Sequence, residues 1–161
     1  MRRAAASVCV VALIAVAGGP GVARSASRGS LGTVTPREYQ LIAAINAVRT
    51  IHLLPKLSID RRLVTAARSH SRDMLRRHYF AHGNFSARMS RFRVRGTLFA
   101  ENLGWSSGVM TPNAAITEWL ESPPHRQNLL DPQLHRVGVA APLGAFGGFS
   151  TATMITADFA G

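Results

Sequence analysis

The chain predicts a single α+β domain, layered as an α/β/α sandwich, in preference to a doubly wound parallel sheet. Amphipathic helical periods fill the front of the sequence, strand-like runs gather mostly at the back, and no internal repeat is present. A doubly wound sheet would instead alternate strands with helices throughout.

From Pro36, the apolar positions Leu41, Ile42, Ile45 and Val48 recur at helical spacing. Thr35 is placed as the cap, with Pro36 at the first helical position, where its missing N–H is not needed. After Leu53-Leu54-Pro55, Asp60 is placed to cap a second helix whose Leu63, Val64, Ala67, Met74 and Leu75 share one side. Arg61, Arg68, Arg72 and Arg76 fall in an arc on the other side, which reads first as a solvated face and second as an anionic-surface contact. Residues 86–94 predict a short helix, and Thr97 to Ser106 an extended segment running through Glu101. Thr111-Pro112 opens a third substantial helix, Asn113 to Glu121, which Pro123 and Pro124 end because proline breaks the hydrogen-bond ladder. Leu134 to Ala140 and Phe149 to Phe159 predict strands separated by a Gly-rich turn at Gly144 to Gly148.

Residues 1–26 predict a secretory signal peptide: Arg2 and Arg3, an apolar stretch from Ala4 to Ala17, then Ala23-Arg24-Ser25-Ala26 as a small-residue cleavage site. The apolar stretch is shorter than the roughly 20 residues that span a bilayer. Residues 27–37 read as a flexible leader and 38–160 as the domain. The single cysteine, Cys9, lies within the signal, so disulfides and thiol chemistry are excluded from the mature chain. The expected location is extracellular or at the cell envelope. A formal net charge of +11, carried by arginine with Lys56 as the one lysine, favours anionic partners by long-range attraction.

Of eight acidic residues, Glu101, Glu118 and Glu121 fall between His82 and His125. Imidazole and carboxylate suit a borderline divalent ion such as zinc, so His82, Glu101 and His125 form a candidate metal site. No His-Glu-x-x-His and no phosphate-binding glycine loop occurs, and with thiol chemistry excluded the residues read as supporting metal-assisted hydrolysis. His70, at the edge of an apolar face, reads as structural.

Several blocks occur in order: Ala67-Arg68-Ser69-His70-Ser71-Arg72-Asp73-Met74, Tyr79-Phe80-Ala81-His82, Ala100-Glu101-Asn102-Leu103-Gly104, Trp119 followed by Ser122-Pro123-Pro124-His125-Arg126-Gln127-Asn128-Leu129-Leu130, and Val137-Gly138-Val139. Together they resemble the bacterial secreted branch of the CAP superfamily, which includes cysteine-rich secretory, antigen 5 and plant pathogenesis-related proteins. The resemblance implies a three-layer α/β/α sandwich with a cleft of two histidines and two glutamates. The histidines correspond to His82 and His125, and the first glutamate to Glu101. The second corresponds to Glu121, one residue nearer Trp119 than in the eukaryotic pattern; Glu118, which precedes Trp119, is the alternative.

The resemblance further implies a divalent metal, zinc in the first instance, and a lipid, sterol-like or wall-polymer ligand. Binding is expected ahead of catalysis. One alternative is a metal-assisted hydrolase using a cleft glutamate as base; the other is a polyanion-binding protein acting through the arginine arc. Nucleic acid is not an expected partner.

Overall fold

A computed structural model describes residues 33–161. The expected signal peptide and residues 27–32 of the expected leader lie outside the described residues, and no described helix is long and apolar enough to cross a membrane.

Helix α1 (Pro36–Ile51) starts with a reciprocal capping box: the Glu38 backbone N–H donates to the Thr35 hydroxyl, and the Thr35 N–H donates to the Glu38 carboxylate. It therefore begins within the last residues of the expected leader. Its apolar stripe Leu41, Ile42 and Ile45 is buried, with Val48 packed against the same core. After the short strand β1 (Ser58–Ile59) comes α2 (Arg61–Arg77), capped by Asp60, which accepts from the backbone of Arg62 and Leu63. Next are α3 (Phe85–Arg91), strand β2 (Phe99–Ser107), α4 (Pro112–Glu121) and α5 (Pro123–Leu130). Strands β3 (Arg136–Ala140), β4 (Leu143–Phe146) and β5 (Phe149–Ala160) complete the chain.

The sheet runs β1-β3-β5-β2, with β4 paired to β5; β1 and β3 are parallel, and the other pairs antiparallel. Because side chains alternate along a strand, β5 serves two layers. Ile155, Ala157 and Phe159 meet α1, α4 and α5, where Trp119 is buried and donates Nε1–H to the Leu103 carbonyl at 2.8 Å. Met154 and Ala160 face the opposite side, covered by α2, α3 and the loop between them. Gly138 lets α2 sit directly on β3, since a Cβ there would lie 2.1 Å from the Val64 nitrogen. The fold is thus the expected α+β sandwich.

Three details differ from the sequence reading. Strand β1 is only two residues long and carries no periodicity. The expected Gly-rich turn is largely strand β4; the turn itself is Gly147-Gly148, both at positive φ (59° and 84°), as a two-residue hairpin turn requires. The prolines after α4 both end it and open α5, where they occupy the first two positions that tolerate a missing N–H.

Candidate functional site: a histidine cleft at the edge of the sheet

Strand β2 is the end strand of the β1-β3-β5-β2 path, yet its first five residues are buried because helices cover both its faces. Glu101 points into the α2/α3 layer, in register with Asp158 of β5, while Asn102 points toward α5. The Asn102 amide donates to the His125 carbonyl at 3.0 Å. Asn128 donates to Asn102 Oδ1 at 2.8 Å and to the Glu101 carbonyl at 3.2 Å. These bonds fix α5, and with it His125, against β2. From the other face, the loop after α2 brings His82 to Glu101.

Glu101 is 3% exposed and has partners on both oxygens. Oε1 lies 2.7 Å from His82 Nδ1, and Oε2 takes a guanidinium N–H of Arg88. Arg88 also donates to the His82 carbonyl at 3.1 Å, so one guanidinium holds both the glutamate and the loop carrying the histidine. Since the carboxylate accepts, His82 donates its Nδ1–H, and Nε2 carries the lone pair. That Nε2 atom is buried without a hydrogen-bond partner. Burial, reinforced by the Arg88 charge, lowers the His82 pKa and keeps the ring neutral. Burial and then nearby His82 lower that of His125.

Two buried carboxyls share one guanidinium. Burial raises the Glu101 pKa to about 7 against the opposing pull of Arg88, and burial together with the Glu101 charge raises Asp158 well above its ordinary value. No hydrogen bond reaches either Asp158 oxygen and Arg88 stands 3.8 Å away, so burial beside Glu101 favours the protonated Asp158 carboxyl. His70, also buried, lies with Nε2 3.0 Å from the Ala81 carbonyl and 3.9 Å from Glu101. Burial and then the Arg88 charge push its pKa down to about 4, so it stands in this layer as a neutral donor.

The structure joins His82 to Glu101 and sets His125 on α5 within electrostatic reach of His82, with Glu121 bonded to none of them among the described residues. Glu121 and Glu118 are exposed on α4, and no hydrogen bond or ion pair joins either to the histidines or Glu101 among the described residues. Burial and then the Glu121 charge raise the Glu118 pKa. Arg88, Asp158, Asn102 and Asn128 are site-building residues that the sequence reading did not select. The arginine arc is also divided, because Arg68 pairs with Glu38 at 2.5 Å and donates to the Thr33 carbonyl, and Arg76 pairs with Asp73. Arg61 and Arg72 remain exposed.

As a metal site, the donor set is small. No group of three or more His, Cys, Asp or Glu side chains among the described residues is arranged to hold an ion. The buried lone pair of His82 Nε2 nevertheless suits a cation, with the neutral His125 ring as its neighbour, and Glu101 serves as the orienting carboxylate behind the histidine.

The domain is thus an α/β/α sandwich with a buried cluster of polar side chains on its end strand. The family model for CAP, the cysteine-rich secretory protein family, matches residues 42–159, and the chain belongs to that family. It is similar to an uncharacterized protein, YkwD, of Bacillus subtilis, at 31% identity over 66% of this chain and 43% of that one. An extracellular SCP-domain protein of Bacillus anthracis superposes with TM-score 0.64 at 29% identity, covering 80% of this chain and 44% of the other. An outer surface protein of Borrelia burgdorferi shares the fold at TM-score 0.57 and 21% identity, over 74% of this chain and 87% of that one. The chain spans less than half the length of the Bacillus relatives.

Proposed function

We propose that this is a secreted or envelope-associated CAP module whose cleft captures a divalent cation, zinc by donor chemistry, on His82 Nε2 and the His125 ring. One observation carries the reading: a buried imidazole nitrogen has no partner while its opposite nitrogen is tied to a carboxylate. Glu101 fixes the ring and its tautomer, Arg88 fixes Glu101, and protonated Asp158 relieves the repulsion between two buried carboxyls. When bound, the ion would offer open positions to an oxygen of a lipid or wall-polymer ligand. The extracellular and outer-surface relatives favour that location.

Binding is favoured over hydrolysis because Glu101, the buried candidate base, has both oxygens engaged. Two imidazoles are fewer than the three or four protein ligands of tight zinc sites, so affinity should be modest. Calorimetric zinc titration near neutral pH tests the proposal. One ion per chain is expected for wild type, none for His82→Ala/His125→Ala, and an affinity ~10–100-fold weaker for Glu101→Gln if the protein stays folded by circular dichroism. Equal binding by wild type and the double variant would overturn it. Since only neutral imidazole coordinates and both histidine pKa values are lowered, occupancy should persist below ~6.5 before falling.

A further inference from the structure

A second concavity, of about 640 Å³, lies between the C-terminal half of α2 and α3. That volume falls within the roughly 300–1,000 Å³ of small-molecule sites. Three of its lining arginines lie over aromatic rings: Arg88 over Phe85, 5.2 Å from the centroid, and two whose charge is not held by Glu101. The Arg77 guanidinium lies over Tyr79, 5.5 Å from the ring centroid, and Arg91 lies over Phe92 at 5.6 Å. A guanidinium stacked by its face keeps its N–H edge available to an acceptor in its plane. Stacking also restricts the rotamers that binding would otherwise have to freeze.

The charge balance favours an anion. Arg76, Arg77 and Arg91 line the pocket with Asp73 as its single carboxylate, and Asp73 is shared by Arg76, Arg77 and the Tyr79 hydroxyl. Arg91 has no carboxylate partner among the described residues. Arg88, which also lines the pocket, has its charge met by Glu101. Its side chain is only 9% exposed, and its buried Nε–H makes no hydrogen bond. Asn84 uses its side-chain oxygen to cap α3, which leaves its amide N–H groups as further donors.

We propose that this pocket binds a phosphate group, as a soluble phosphomonoester or within a lipid headgroup. Donors contributed by α2, α3 and the loop between them suit a tetrahedral anion, whose oxygens point in several directions. A carboxylate, with two oxygens in one plane, would engage fewer of them. The site is separate from the cation proposal, because it uses neither His82 Nε2 nor His125.

The test is titration of the purified protein, followed by NMR of arginine Nε–H and backbone signals, with inorganic phosphate and glycerol 3-phosphate against chloride at matched ionic strength. Saturable shifts are expected at Arg77, Arg91, Gly83 and Asn84, with phosphate binding at least ~10-fold tighter than chloride. Arg77→Gln/Arg91→Gln should lose at least ~10-fold in phosphate affinity with an unchanged melting temperature. Arg61→Gln/Arg72→Gln removes the same charge outside the pocket and should lose less than ~2-fold. Equal losses in the two double variants, or shifts that do not saturate, would overturn the site. Vesicles of phosphatidylglycerol in phosphatidylcholine assign the source: capture that depends on Arg77 and Arg91 identifies a headgroup ligand, and binding of soluble phosphate alone identifies the monoester.

Discussion

The carboxylates of β2 and α4 lie between the same two histidines in the sequence and live under opposite physics. On β2, the antiparallel register sets Glu101 opposite Asp158 under a helical layer, so burial dominates and each group must find a proton, a guanidinium or an imidazole. On α4, Ala115, Ile116 and Trp119 take the inner face, and Glu118 and Glu121 are left on the outer one. The comparison shows that proximity in sequence to a histidine does not make a carboxylate part of its site. Burial and register do.

The largest test of this contrast removes the cation from the buried side. Arg88→Leu would leave Glu101 and Asp158 without their shared guanidinium, and breaking a buried pair on one side costs about 3–5 kcal/mol. Arg76→Leu, which removes an exposed arginine from a surface pair, should cost no more than about 1 kcal/mol. Urea unfolding of both variants makes the comparison. A loss under ~1 kcal/mol for Arg88→Leu would show that the Glu101 layer is wetter than the structure indicates.

A second test uses pH. His70 has its pKa pushed down to about 4 by burial, so between that value and the ordinary 6.5 the unfolded chain binds the proton more strongly. Its contribution is therefore fully present above about 6.5 and disappears as pH falls toward about 4, a change of about 3 kcal/mol. Glu101 acts in the opposite sense. With its folded pKa raised to about 7, it lowers stability as pH rises from about 4.5 to about 7. In unfolding measurements across this range, the stability of wild type relative to His70→Gln should shrink as pH falls. A constant difference would mean that His70 is not held neutral.

Helix starts were legible because caps are local: Thr35-Pro36, Asp60 and Thr111-Pro112 all begin helices at or next to the expected residue. His82, Glu101 and His125 were legible through the motifs they share with a family. Asp158 was not, since its role arises from a strand register that the sequence does not display. Its one signal was a lone acid inside Met154-Ile155-Thr156-Ala157-Asp158-Phe159. Arg49 was hidden for a similar reason. It is fully buried and donates to the carbonyls of Pro55, Leu129, Asp131 and Leu134, partners that become neighbours only after folding.

The smallest expected effect falls on Glu121, and it separates the exposed carboxylates from the buried ones most sharply. Glu121 is solvent-facing and its neighbouring carboxylate is Glu118, so Glu121→Gln removes like-charge repulsion without uncovering a buried partner. Stability should change by no more than ~0.5 kcal/mol. The Glu118 carboxyl, followed by NMR titration, should move down toward its ordinary value, because the second cause of its elevation has gone. Under the proposed cation site, zinc affinity should change less than ~2-fold, in contrast with the loss expected for Glu101→Gln. A large fall in affinity for Glu121→Gln would mean that α4 closes toward His125 when the ion binds, and the exposed glutamate would then join the buried one as part of a single site.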